Sequence, residues 1–377
     1  MKKLKVMSVY GTRPEAIKMC PLVRELEARE DIESIVLLTA QHRELLDGVN
    51  EFFGVKADYD LNIMKPSQTL SSITSDILLG MDKILNECAP DVLLVHGDTS
   101  TSFAAALSAF YHKIPVGHVE AGLRTYDRYS PYPEEMNRNL TGKLATYHFA
   151  PTEKNRRNLA AEGVTENVYV TGNTVLDTFR YTVSENYAFH SEDLRALDFS
   201  DGRRYIAMTA HRRENIGRAM ESIFGAVKSV VSAHDGVRVI YPMHPNPEVR
   251  QTAERVLGSC ERIRLTEPLD VVDFHNLLSR AYMVLTDSGG IQEEACALGV
   301  PTLVARDTTE RGEGVSTGGI RLTGTRESEI IRAFSALLDD KNVYENMRFA
   351  PNPYGDGTAS AQICQILRKK LALFTEL

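Results

Sequence analysis

The chain has 377 residues, 43% of them hydrophobic and 25% charged, with a formal net charge of −8 at pH 7. That length exceeds one ordinary hydrophobic core and predicts two domains, while the negative balance argues against recruitment of nucleic acid or an anionic membrane by bulk charge. No apolar run approaches the ~18 residues of a membrane-spanning helix, and the five dispersed cysteines form no Cys-x-x-Cys pair, so free thiols in a reducing cytoplasm are expected rather than a disulfide framework or a zinc site.

The first apolar run, 4–10, stops at Gly11-Thr12-Arg13-Pro14 and reads as a first strand and turn, not a secretory leader. Pro14 suits the first turn of the helix expected over 14–29. Arg13 and Lys18 then stand near that helix start, either as phosphate-binding cations or as solvated charges. Further strands are expected over 34–39, 91–96, 114–119 and 147–150, with helices over 71–86 and 100–112 between them. Asp98 sits where the 91–96 strand meets its helix, as a cap or as a carboxylate aimed at a ligand. Glu120 lies between Val119 and Ala121 at the next strand end, where burying a carboxylate costs several kcal/mol unless it is paired or used. Glu134 and Arg138 are four apart on a short helix, an ion-pair spacing. Asp98, Glu120 and Glu134 together form a set of strand-end carboxylates suited to acid–base work.

The halves are expected to join near Gly172-Asn173-Thr174, followed by a polar, patternless helix and linker over 185–202. The strand–helix rhythm then resumes, with strands over 205–209, 237–241, 262–265, 282–285 and 301–304 and helices over 220–234, 248–257, 271–279 and 291–298. Such alternation predicts parallel sheets with helices on both faces, and ligands at the carboxyl ends of the strands. His211, Arg212 and Arg213 follow the first strand of this half, a cationic setting for a diphosphate. Thr286-Asp287-Ser288-Gly289-Gly290-Ile291-Gln292-Glu293-Glu294 reads as strand end, glycine turn and helix start. Ser288 suits a cap, Gly289 and Gly290 admit a ligand close to the backbone, and Glu293 or Glu294 is placed for ribose hydroxyls. Arg311 follows the 301–304 strand as another phosphate candidate. His244 ends the 237–241 strand segment. No Gly-x-Gly-x-x-Gly, P-loop or His-x-x-x-His pattern occurs, so a nicotinamide or flavin fingerprint and a metal site are both unsupported. A last helix is expected over 359–370, after the break at 352–357.

Segments 11–18, 41–43, 96–99, 118–125, 133–138, 172–174, 211–214, 286–294, 307–311 and 352–357, in that order, resemble the non-hydrolysing UDP-N-acetylglucosamine 2-epimerases of bacteria. The resemblance spans nearly the whole chain. It implies an α/β protein of two Rossmann-like, doubly wound domains facing across a cleft in the GT-B arrangement. Residues 1–172 would form the sugar-side domain, with a helix from 357–377 packing back on it, and 173–356 the UDP-binding domain. It implies interconversion of UDP-GlcNAc and UDP-ManNAc without a cofactor, in the cytoplasm, by a homodimer that supplies surface polysaccharide.

By motif, the resemblance also implies roles. Arg13, Lys18 and His211 would hold the diphosphate; Ser288, Gly289 and Gly290 the phosphate at the helix start. Glu294 would bind ribose, Phe274 uracil, and Arg311 the nucleotide. Asp98, Glu120, Glu134 and Arg138 would surround the sugar. Gln41, His42, Arg212 and His244 match positions of a second, activating UDP-GlcNAc site. Two departures stand out: Arg311 is followed by Gly312-Glu313-Gly314 where the family commonly has Pro-Glu, and Ser67 stands where Gly is frequent. A GT-B glycosyltransferase, a silent nucleotide-sugar sensor and a hydrolysing epimerase are the competing classes.

Overall fold

Strand β1 (Leu4–Tyr10) buries its last five residues on both faces, the signature of a strand inside a parallel sheet. It pairs in parallel with β2 (Ile32–Leu38) on one side and β4 (Val92–His96) on the other. With β3 (Tyr59–Asp60), β5 (Val116–Val119), β6 (Tyr147–Ala150) and β7 (Val168–Val170) they form a seven-stranded sheet ordered β3-β2-β1-β4-β5-β6-β7. The computed structural model describes residues 3–40, 43–65 and 68–372. Its contacts divide into one unit, Met1–Tyr181 with Tyr354–Leu377, and a second, Thr182–Pro353.

In the first unit, helices Arg13–Glu27 and Ala359–Ala372 cover one face of the sheet, where Met19, Leu22, Leu26, Ile363 and Leu367 are fully enclosed. Helices Leu70–Cys88 and Ser100–Tyr111 cover the other, burying Ile77, Met81, Ala105 and Ala109. The Gly172–Asn173 stretch lies inside this unit: Asn173 N–H donates to Tyr354 O at 2.8 Å, and a Cβ on Gly172 would come within 3.0 Å of Gly355 Cα. The chain therefore divides later than the sequence suggests.

The second unit is built the same way. Strands β8 (Arg204–Thr209), β9 (Val237–Pro242), β10 (Ile263–Thr266), β11 (Met283–Thr286), β12 (Thr302–Val304) and β13 (Ile320–Leu322) form a parallel sheet ordered β10-β9-β8-β11-β12-β13. Helices Arg218–Ala233 and Glu327–Asp339 close one face around Phe224, Val227, Phe334 and Leu337. On the other face the supposed linker proves to be core. Phe189 and Leu194 are buried with Tyr205 and Leu277, and Tyr187 and Phe199 pack against them. Their irregular spacing follows a chain that wraps over the sheet, so no helical or strand period marks them.

Both sheets reverse strand order at their first strand, between β1 and β4 and between β8 and β11. In doubly wound folds that reversal opens a crevice at the carboxyl ends of the strands, where ligands bind. Among the described residues, no helix is long and apolar enough to cross a membrane.

Candidate active site

In the first unit the β1 turn is rigid. Thr12 caps helix Arg13–Glu27, and Glu15 accepts the N–H groups of Gly11 (3.0 Å) and Thr12 (2.9 Å) in a capping box. The other oxygen of Glu15 accepts the hydroxyls of Thr99 (2.7 Å) and Ser102 (3.1 Å), the cap and first turn of the helix that follows β4. One buried carboxyl thus ties the two sides of the crevice together, and its burial raises its pKa. Sequence reasoning passed over Glu15; its signal was the Thr-x-x-Glu spacing.

Glu120 follows β5 with φ +63°, a left-handed backbone in a residue with a Cβ. Such a conformation costs about 1–2 kcal/mol and persists where the surroundings impose it. Its side chain is 7% exposed and pairs with the ammonium of Lys18. Asn173 Nδ2 donates to the same oxygen, Oε2, at 2.8 Å, and His96 Nε2 lies 3.7 Å from it. Oε1 lies on the side of Gly97, 3.5 Å from where a Cβ there would sit. Burial lowers the His96 pKa to about 4, so this ring is neutral at pH 7.

Asp98 sits one strand over. Arg138 grips its Oδ2 through Nε (3.1 Å) and a second guanidinium nitrogen, and Asn137 Nδ2 holds its carbonyl at 3.0 Å. Among the described residues Oδ1 has no partner. The third Arg138 nitrogen goes to Glu135 at 3.1 Å, not to Glu134 as the four-residue spacing suggests. Glu135 is buried and also accepts the N–H groups of Thr125 (3.1 Å) and Tyr126 (3.0 Å), which fixes the loop before the helix. Glu134, at the first position of helix Glu134–Leu144, stays half-buried with no ion-pair partner among the described residues. Arg13, the first residue of its helix, is also half-buried.

In the second unit, helix Gly289–Ala297 begins directly after β11. Ser288 stands at the cap position, but its hydroxyl makes no capping bond, contrary to the sequence expectation, and no acidic residue occupies the first turn. The N–H groups and partial positive charge of that turn are thus not met by a side chain of the helix itself. A Cβ on Gly289 would lie 2.7 Å from Glu310 Oε1 and 3.3 Å from Arg311 Cζ, so any larger residue there has to displace the Glu310 carboxylate. Gly290 is roomier, its nearest neighbour being Glu294 Oε1 at 3.7 Å.

The two glutamates separate cleanly. Glu293 is buried and takes Arg311 Nε at 2.7 Å, whereas Glu294 is half-buried with His275 Nε2 at 3.6 Å. Arg311 also donates to Glu310 at 2.9 Å. Burial alone would raise the Glu310 pKa, but Arg311, Arg306 and Arg212 hold it down to about 2. Gly312-Glu313-Gly314 opens the short helix Gly312–Thr317, with Arg311 as its cap residue. Phe274 is half-buried on helix Val271–Arg280, beside His275.

His211 follows β8 and stacks on exposed His244, ring centroids 5.2 Å apart and planes 14° from parallel. Burial lowers the His211 pKa, with Asp287 acting against it and His244 and Arg212 with it. Arg212 Nε donates to Asp287 O at 3.2 Å, and its guanidinium lies 3.7 Å from Glu310. Gln41 and His42 lie outside the described residues.

One group elsewhere, His190 with Asp270 and Asp273, has ligand atoms within 4.8 Å of one another. Its carboxylates are already engaged. Asp270 caps helix Val271–Arg280 and pairs with His190, and Asp273 takes the N–H groups of His190 and Ser191 and the Tyr187 hydroxyl. It fastens the 187–191 segment to the helix.

Fold and site define a class: two doubly wound α/β units, one presenting a glycine-bearing helix start suited to an anion, the other carboxylates at its strand ends, with Glu120 buried against Lys18 and Asp98 gripped by Arg138. Residues 24–368 match the UDP-N-acetylglucosamine 2-epimerase family. The chain belongs to that family and is an enzyme of its activity. It is 51% identical to the UDP-N-acetylglucosamine 2-epimerase of Bacillus subtilis, over 97% of this chain and 96% of that one. Among solved structures, it is similar to the Neisseria meningitidis UDP-GlcNAc 2-epimerase bound to UDP-GlcNAc, with 46% identity, TM-score 0.91 and coverage of 97% of this chain and 100% of that one. It is also similar to the S. aureus MnaA structure solved with UDP, with 49% identity, TM-score 0.90 and coverage of 100% and 98%.

Proposed function

We propose that the enzyme interconverts UDP-GlcNAc and UDP-ManNAc by eliminating UDP and adding it back. Carbon 2 of the sugar bears an acetamido group and no neighbouring carbonyl, so its hydrogen is barely acidic. Loss of that proton has to be coupled to departure of UDP from carbon 1. The C–H electron pair becomes the C1–C2 double bond of 2-acetamidoglucal, and the C1–O bond breaks with its electrons to UDP. Return delivers a proton to the opposite face of carbon 2 while a phosphate oxygen re-forms the bond to carbon 1.

The observation that carries this reading is the set of carboxylates at the strand ends of the first unit, above all Glu120, buried on a strained backbone against Lys18. Asp98, with one oxygen gripped by Arg138 and the other without a partner among the described residues, suits a base. Glu120 and Glu134 are the candidates for the opposite face, and Arg138 fixes Asp98. In the second unit, the first turn after Ser288, with Gly289 and Gly290, suits phosphate, and Glu294 suits ribose because Glu293 is spent on Arg311. Phe274 is assigned to uracil. Arg13, Lys18, His211 and Arg311 are assigned to the charge that develops on the leaving diphosphate. The reading extends to a cytoplasmic homodimer that feeds surface polysaccharide and is activated by UDP-GlcNAc near Gln41, His42, Arg212 and His244; the stacking of His211 on His244 supports two neighbouring anionic sites.

The reaction run in deuterated water, followed by NMR of the products, tests this. Deuterium at carbon 2 of UDP-ManNAc is expected. Epimer formed without deuterium overturns proton exchange, and free ManNAc or sugar transfer to an acceptor assigns the chain to a competing class.

A further inference from the structure

The turn after β11 holds a carboxylate that phosphate binding does not explain. Asp287 is fully enclosed, at 0% exposure. Its oxygens are taken by the loop after β8. His211 N–H donates to both, at 3.1 and 3.0 Å, Arg212 N–H to Oδ2 at 2.9 Å and Asn215 Nδ2 to Oδ2 at 3.0 Å. The Asp287 carbonyl meanwhile accepts Arg212 Nε at 3.2 Å. Asn215 also reaches Ala305 O at 3.3 Å, and Tyr241 donates its hydroxyl to Ala210 O at 2.7 Å, so the residues flanking His211 are fixed from three strand ends. The His211 ring stays near the same carboxylate, Nδ1 lying 3.8 Å from Oδ1. This carboxylate, met mainly by backbone N–H groups, thus faces the adjacent imidazole. Around that ring the other charged or titratable groups are His244, stacked on its face, Arg212 and Glu214.

We infer that Asp287 is the positioning residue for His211, fixing its backbone and supplying the negative charge that keeps its imidazole able to carry a proton. This rests on the reading that His211 assists departure of the diphosphate. Partial burial and the neighbouring His244 and Arg212 favour the neutral form of the ring. Asp287 opposes it, with a smaller part from Glu214, so the loop and the imidazolium are held mainly by one side chain. The same residue adjoins Ser288, which couples the phosphate turn to the His211 loop through a single buried group.

The test uses the full chain labelled with ¹³C-histidine, with the His211 resonance assigned by loss in His211→Asn. In Asp287→Asn the His211 titration is expected to move down by roughly one pH unit. Turnover of UDP-GlcNAc near pH 7.5 should fall roughly tenfold or more and recover in part toward pH 6, with KM within about threefold. In Asn215→Ala, which strips one donor from the carboxylate, the titration is expected to move the opposite way. That variant decides the matter should Asp287→Asn not fold. A His211 titration unmoved in the folded variants overturns the inference, as does a turnover loss that is the same at every pH. Normal turnover by His211→Asn would instead overturn the role of His211 itself, while the NMR titration separately reports the Asp287–His211 coupling.

Discussion

A carboxylate placed on a left-handed backbone and buried against an ammonium is held there by its surroundings. Glu120→Gln keeps the shape and removes the charge. General acid–base groups contribute typically ~100- to 10,000-fold, so turnover is expected to fall at least about 100-fold. UDP affinity, assigned to the second unit, should stay within about threefold of wild type. Steady-state kinetics with calorimetric UDP titration check both, and near-normal turnover would remove Glu120 from the chemistry. Glu120 was legible in the sequence because a charge inside an apolar run is anomalous. Asp287 was not: an aspartate before Ser-Gly-Gly passes for turn chemistry, and only its bonds to His211 and Arg212 reveal otherwise. The choice of Arg138 between Glu134 and Glu135 was equally hidden. Three- and four-residue spacings both put side chains on one helix face, and the loop N–H groups of Thr125 and Tyr126 set the orientation of Glu135.

At the scale of elements, the long strands were legible as unbroken apolar runs, while β3, β7 and β13 were not. The first has two residues and the others three each. All three lie at sheet edges, where packing on neighbours rather than pattern makes a strand. The helix start at Gly289 was legible from its glycines, and its geometry yields a comparison. Gly289→Ala brings a methyl into Glu310 and Arg311, two side chains that hold each other, whereas Gly290→Ala meets only the end of Glu294. The first change is expected to weaken UDP binding roughly tenfold through distortion of the anion-binding turn, the second far less. Calorimetric titration of both variants with UDP checks the order; equal losses would mean that crowding at Gly289 does not govern the turn.

Across the first unit, three buried histidines stand on neighbouring strands: His96 on β4, His118 on β5 and His148 on β6. Burial lowers their pKa values to about 4, 3 and 4. Above pH ~6.5, the ordinary histidine value, folded and unfolded chains are both neutral at these sites and nothing is lost. As the pH falls below that, the unfolded chain takes up protons that the fold refuses, so stability drops until the folded values are reached. The melting temperature of the first unit should therefore fall steeply between about pH 6.5 and 4, and less steeply in His118→Gln. Parallel slopes for the two proteins would assign the acid sensitivity to other groups. The return of the C-terminal helix to the first core has a further consequence, in the order of synthesis. Ile363 and Leu367 close a core begun by Val6 and Tyr10, so a ribosome must release the helix Ala359–Ala372 before the earlier-made lobe can finish folding. The inserted Thr182–Pro353 lobe, although translated later, is the first able to mature.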